Sequence, residues 1–410
     1  MALLSIWAKS PEEVLSLQIR QIVMMAGDGR LLDNSECSTE LRTFLSEVPS
    51  EKLAEYADFC LTSGFEKSGE TLQDVVNELG RRLDYTVTNG RYQGVSNATG
   101  NDGLWISPEG HHLLVEVKTT DAYRVSLDKI AKYRNSLRAE NEITASNSML
   151  LVVGRKDTGE LEAQVRGSRH AWDMRLIGVN SLVDLVRLKE NTEDETTVSK
   201  MRSILIPMEY TRLDGLIDVI FTTAQDVEAL VEPQLTTDVE ETGVTKEKSK
   251  WDFTETRLID KKRDDILAEV SRIHKIKLIR KSRATYWTAD RAFRLACTIS
   301  KRYESPKDPY WFGYDHKWRE FVTTAEIGFL VLGGMDLDFA FVIPSSVMEE
   351  KLDDLGTTDN DRGMWWHIVL RQNDTGNYLM VCSKTGNHLD LTPYIVNLNP
   401  QPNAAAVTPN

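Results

Sequence analysis

Apolar residues change their spacing several times along this chain, and each change marks a predicted element. In residues 1–66, Leu41, Phe44, Leu45 and Val48, then Leu53, Tyr56, Ala57 and Cys60, recur at three and four residues. That is the period of a helix with one buried face. Ser10 before Pro11 predicts a helix start, and Ser38-Thr39-Glu40 and Pro49-Ser50-Glu51 open two more. The region reads as a helical N-terminal segment. From Gly69, the stripe Leu72, Val75, Val76, Leu79 and Leu83 predicts a further helix. A short strand follows at 85–88. Two runs at 103–106 and 113–115 flank Pro108, Glu109 and Gly110, a hairpin signature. The unbroken apolar run 149–153 predicts a buried strand, and 175–179 predicts another. Helices are predicted at 126–137, 161–172 and 181–188. The order α, β, β, β, α, β, α, β, α predicts a three-layer α/β domain with a mixed sheet, placed at 67–230.

Beyond it the pattern loosens. Residues 190–195 form a polar break, 213–230 has helical spacing, and 231–256 reads as a linker. Residues 257–399 predict a separate α+β C-terminal domain for recognition or sensing. Its strands are expected at 327–332, 339–344, 365–370 and 378–382, with a hairpin turn at 373–377. The cluster Tyr310, Trp311, Phe312, Gly313 and Tyr314, with His316 and Trp318, suits a core with one or two rings lining a recognition pocket. Trp365 and Trp366 in one strand must face opposite sides. Residues 400–410 read as a disordered tail.

A length of 410 residues suits two or three domains, and 41% hydrophobic with 27% charged residues suits a soluble globular chain. No apolar run is long enough to span a membrane. The first residues lack the basic start of a signal peptide. Cys37, Cys60, Cys297 and Cys382 are too scattered for zinc spacing or a disulfide framework. A reduced, cytoplasmic protein is expected. A net charge of −14 argues against a general nucleic-acid coat, but the charge is uneven. Residues 257–302 hold 14 Lys or Arg against 5 Asp or Glu, with Tyr286, Trp287 and Phe293 among them. This stretch reads as a phosphate-contacting surface or as a helix with a solvated face. Lys277, Arg280, Lys281 and Arg283 are its candidate DNA contacts. There is no P-loop run, so any motor would be a separate protein.

The chemistry concentrates at the hairpin. Glu116 and Lys118 are two apart and share a strand face, while Val117 points the other way into a core. Asp102, on the neighbouring strand, is placed to meet them. Two carboxylates and an ammonium on one sheet face call for a use, and a divalent metal with a phosphate supplies one.

Asp102, thirteen residues, then Glu116-Val117-Lys118 resembles the PD-(D/E)xK nucleases, the restriction-endonuclease-like superfamily, with an Mrr-like catalytic domain. The resemblance covers roughly residues 69–188. Asn101 stands where many members have proline. It implies Mg²⁺, or Mn²⁺, held by Asp102, Glu116 and the backbone carbonyl of Val117. Asp102, Glu116 and Lys118 would be the catalytic residues, with Lys118 positioning or deprotonating the attacking water. Gly69-Glu70-Thr71-Leu72-Gln73 is similar to the Mrr-like helix pattern, with Gln73 in place of its Glu. Glu70 or Gln73 is the candidate additional group, and one metal is expected rather than two. Tyr123, Lys129, Lys132 and Arg134 lie where the family's helix approaches DNA. His111 and His112 are expected to be solvated rather than catalytic, and Arg166, Arg169 and His170 to form a solvated face rather than to touch DNA. These features predict a Mg²⁺-dependent DNA endonuclease of restriction or antiphage defence, acting as a dimer or higher oligomer. The alternatives are a nuclease effector triggered through its C-terminal domain by a partner protein or signal, and a non-catalytic nucleic-acid-binding protein.

Overall fold

The computed structural model describes residues 2–92, 100–119, 124–154, 158–207, 256–303, 308–360, 363–373 and 375–398. They show a mixed α/β chain in two compact units, Met1–Gln234 and Leu235–Asn410. The predicted helix at 213–230, the predicted linker up to residue 255, Tyr123 and the tail lie outside the described residues.

The first unit opens with six helices: α1 (Ala2–Lys9), α2 (Pro11–Leu15), α3 (Ile19–Met25), α4 (Glu36–Glu47), α5 (Ser50–Thr62) and α6 (Ser68–Arg82). The cap of α4 is Ser35, whose hydroxyl accepts the Ser38 N–H at 3.1 Å, so this helix starts earlier than the Ser38 signal suggested. A five-stranded sheet follows: β1 (Thr86–Asn89), β2 (Gly103–Ile106), β3 (His112–Lys118), β4 (Asn147–Val153) and β5 (Met174–Gly178), hydrogen-bonded in that order. The pairs among β1, β2 and β3 are antiparallel, and those among β3, β4 and β5 are parallel. Helices α7 (Leu127–Ala139) and α8 (Gly159–Arg166) make the two crossovers, as parallel strands require. Helices α9 (Val179–Glu190) and α10 (Glu195–Ser203) complete the unit.

The strand period sorts the side chains onto two cores. Trp105, Leu113, Val115, Val117, Leu150 and Val152 face α6, α9 and the N-terminal helices. Leu114, Met149, Leu151 and Val153 face α7 and α8. The helical segment 1–66 therefore shares its core with the sheet. Helix α8 ends at Arg166, not at Trp172: Gly167 is its C-cap, and Trp172 is 74% exposed. Helix α10 was hidden in the polar break. Asp194 there is its cap, accepting the Thr197 N–H at 2.8 Å.

The second unit has a helix, α11 (Thr256–His274), and two sheets. The first sheet contains β6 (Ile279–Arg280), β7 (Thr285–Trp287), β8 (Phe293–Ser300), β10 (Ile327–Gly334), β11 (Phe339–Pro344) and β16 (Ile395–Asn397). Its order is β16-β11-β10-β8-β7-β6, parallel only between β10 and β8. The second sheet is antiparallel and contains β9 (Tyr310–Asp315), β12 (Gly356–Asn360), β13 (Gly363–Gln372), β14 (Tyr378–Met380) and β15 (Leu389–Asp390). Short helices α12 (His316–Thr323) and α13 (Ser345–Glu349) connect strands. Tyr310, Phe312, Tyr314, Trp366 and Ile368 pack with Leu330, Leu332, Phe341 and Ile343 in one core. Ile266, Leu267 and Val270 of α11 pack with Phe293, Leu295 and Val331 in another. Three of the clustered aromatics are thus core, and alternation leaves Trp311 and Trp365 half-buried on the other face. The basic stretch 257–302 is a helix followed by three strands. Among the described residues, no helix is long and apolar enough to cross a membrane, and all four cysteines are free and buried.

Candidate active site

The site forms where the β2–β3 ladder runs out. Gly103 pairs with Val115, and the Asp102 N–H still reaches the Val115 carbonyl at 3.1 Å. At the next ladder position the backbone partner is replaced by a side chain. Asp102 Oδ2 accepts the Val117 N–H at 2.6 Å. This bond turns the Asp102 carboxylate across the end of β2, toward Glu116.

Helix α6 fixes the backbone behind it. The Asp102 carbonyl accepts from Gln73 Nε2 at 2.9 Å, from Asn77 Nδ2 at 2.9 Å and from the Gly90 N–H at 3.0 Å. Asn77 Oδ1 in turn accepts the Trp105 indole N–H at 2.9 Å. Gln73 and Asn77 are one helical turn apart and both buried, so their amides form a clamp. Gly103 lets the clamp close, because a Cβ there would collide with Asn77 Oδ1.

The resulting charges are poorly solvated. Burial, and then the Glu116 charge, push the Asp102 carboxyl up to about 7, against the opposing effects of the Val117 N–H, Lys118 and Lys129. Lys118 Nζ donates to Glu116 Oε1 at 2.6 Å. Glu116 Oε2 is buried and has no hydrogen-bond partner among the described residues. A buried carboxylate oxygen without a donor is costly. Here it sits beside a second carboxylate, which is the donor set a hard divalent cation takes. The residues present therefore fit such an ion. Among the described residues, no group of three or more His, Cys, Asp or Glu could hold a metal, so the acid pair would need backbone or water oxygens to complete a shell.

The remaining candidates separate by position. Lys129, exposed on α7, lies 5.6 Å from the Tyr133 ring centroid, and Tyr133 first, then the Glu116 and Asp102 charges, raise its pKa. It belongs to the site, and Tyr133, which the sequence did not single out, comes with it. Lys132 is exposed on the same helix. Arg134 is engaged with Asp173 at 2.8 Å. Gln73 is a backbone clamp rather than a missing acid. Glu70 pairs with Lys67 at 3.0 Å. His111 and His112 occupy the opposite end of β3, where His111 bonds Ser146 and Ser148, each at 2.8 Å. Arg169 and His170 both meet Asp128, and His112 and His170 are buried rather than solvated. In the second unit, Arg280 donates to the Ser282 carbonyl at 3.2 Å, Lys281 lies against aromatic rings, and Lys277 and Arg283 are partly buried. Asn77 could have been found in the sequence as a buried-stripe amide four residues after Gln73. No family model matches the sequence, and no curated protein matches it.

Proposed function

We propose that the first unit is a metal-dependent phosphodiester hydrolase. More narrowly, we read it as a DNA endonuclease with a three-layer, restriction-endonuclease-like PD-(D/E)xK core, serving restriction or antiphage defence. The observation that carries this reading is the half-buried Asp102–Glu116 pair, with a buried Glu116 oxygen that has no hydrogen-bond partner among the described residues and Lys118 bonded to the other oxygen. The layering of helices on both sheet faces, with the acids at the end of a β-hairpin beside α7, supports the same reading.

Asp102 and Glu116, with the Val117 carbonyl, would hold Mg²⁺ or Mn²⁺. The bound ion supplies charge neutralisation at the scissile phosphate and a more acidic water. Lys118 Nζ, held at Glu116 Oε1, orients that water and donates to a phosphate oxygen as negative charge develops. The Gln73–Asn77 clamp keeps the Asp102 backbone from retreating. Lys129 offers a further cation to the bound strand. Cutting both strands with one site per chain calls for a dimer.

The test is plasmid nicking with Mg²⁺ or Mn²⁺ by wild type, Lys118→Ala and Glu116→Ala. Each variant is expected to lose about 100-fold or more in rate. Equal nicking by all three would sink the proposal.

A further inference from the structure

Four arginines fixed on the surface of the second unit are matched by acids. Arg302 pairs with Asp336, Arg319 with Glu349, Arg371 with Asp308 and Arg272 with Glu269. One group breaks this pattern. Lys281 Nζ lies 5.8 Å from the Trp287 centroid and 5.3 Å from that of Phe321. The guanidinium carbon of Arg291 lies 4.7 Å from the Trp287 centroid, and that of Arg294 lies 5.3 Å from Phe321. The two rings are 5.8 Å apart, so three cations surround one aromatic pair.

Among the described residues, no carboxylate forms an ion pair with Lys281, Arg291 or Arg294. Asp290, in the same turn, accepts instead from the Thr288 hydroxyl and from the Ala292 N–H at 3.1 Å. Arg294 is oriented by neutral groups: it donates to Thr324 Oγ1 at 2.8 Å, to the Phe321 carbonyl at 3.3 Å and to the Arg291 carbonyl at 3.1 Å. Burial, and then the Arg291 charge, lower its pKa, as expected for cations that repel one another. Ring faces and carbonyls thus hold the heads in place without cancelling their charge. Arg291 is exposed, and Lys281 and Arg294 are half-buried.

We propose that Lys281, Arg291 and Arg294, set around Trp287 and Phe321, form a surface that binds the phosphate backbone of duplex DNA. The inference rests on the reading that the chain acts on DNA. A guanidinium fork suits phosphate oxygens, and a polyanion relieves the repulsion among three gathered cations. Contacts of this kind carry affinity without sequence preference and release counterions.

The test is fluorescence anisotropy of a mixed-sequence duplex with the full chain in EDTA, where binding is read without cleavage, over a series of salt concentrations. Lys281→Gln and Arg291→Gln are each expected to weaken binding about 3- to 10-fold. Each should also lower the slope of log K against log salt by about 1. Arg291→Lys is expected to keep the slope. The triple variant with Arg294→Gln should lose about 3. Should the triple variant fail to fold, the Lys281→Gln, Arg291→Gln double variant is expected to lose about 2. An unchanged slope in these variants overturns the proposal. So does loss of binding to polyglutamate or to phosphatidylserine vesicles with full DNA affinity kept. A wild type that shows the slope but no plasmid cleavage refutes the nuclease reading and leaves this surface standing.

Discussion

Asp102→Asn is expected to make the metal-free protein more stable, and only where the native carboxylate is forced to ionise. The Asp102 carboxyl is pushed from 3.8 to about 7 by burial and by Glu116. In the unfolded chain it keeps its ordinary value. Below about pH 4 both states hold the proton, and the site costs nothing. Between about 4 and 7 the folded state holds a proton that the unfolded state has released, so stability falls as pH rises. Above about 7 the whole cost is present: about three units at about 1.4 kcal/mol each, or about 4 kcal/mol. An asparagine removes the charge and can still accept the Val117 N–H through Oδ1. With part of the gain lost to an imperfect amide fit, the expected net stabilisation at pH 8 is about 2–4 kcal/mol. For a unit of this size that raises Tm by about 5–15 °C. Thermal melts in EDTA at pH 4, 6 and 8, followed by circular dichroism, measure it. The gain should be absent at pH 4 and full at pH 8. Millimolar Mn²⁺ should then raise the Tm of wild type at pH 8 and leave that of the variant unchanged. A variant less stable than wild type at pH 8, or a gain that does not depend on pH, would refute the reasoning.

Two more perturbations address the support behind the site. Gln73→Ala removes one of the donors on the Asp102 carbonyl and should cost about 1 kcal/mol in urea unfolding. Because Gln73 acts through Asp102, turnover should fall while DNA affinity in EDTA holds, and the opposite split would remove Gln73 from the site. Gly103→Ala should destabilise by about 1–3 kcal/mol, because its Cβ meets Asn77 Oδ1 and opens the Asn77–Trp105 bond. Unchanged tryptophan fluorescence and unchanged stability would show that the clamp yields.

The hairpin and its acids were legible because a strand's period is local. Glu116 and Lys118 share a face wherever they form a strand, and thirteen residues between Asp102 and Glu116 allow a tight return. The clamp was not legible by the same means. A search for apolar stripes on α6 passes over Asn77, and a search for acids reads Gln73 as a defect. Their shared role depends on Trp105 and Asp102, which the fold brings from β2. The end of α8 was misplaced because Trp172 kept the apolar pattern going, although it ends on the surface. The cations of 257–302 sit on elements that the fold separates: Arg263 is buried on α11, while Lys281 and Arg294 collect at Phe321. Composition registers how many cations there are, but not which of them lack an acid.

These features together explain why the acid pair stays strained. A side chain relieves repulsion by moving, and Asp102 cannot move. Its carbonyl is tied by Gln73, Asn77 and Gly90, its carboxylate by the Val117 N–H, and α6 is buried over most of its length. That helix is anchored in turn by Arg82, which bonds Glu78 and the carbonyls of Leu45, Ser46 and Val48 at the end of α4. Rigid packing on the α6 face of the sheet thus preserves an unfavourable arrangement on the α7 face. Two routes to relief remain, uptake of a proton or uptake of a cation, and they compete for the same oxygens. Metal affinity should therefore rise with pH through about 7 and release close to one proton per ion bound. Isothermal titration with Mn²⁺ in buffers of different ionisation enthalpy counts that proton. A count near zero at pH 6 would mean that Asp102 is already ionised, and would refute the competition between proton and cation.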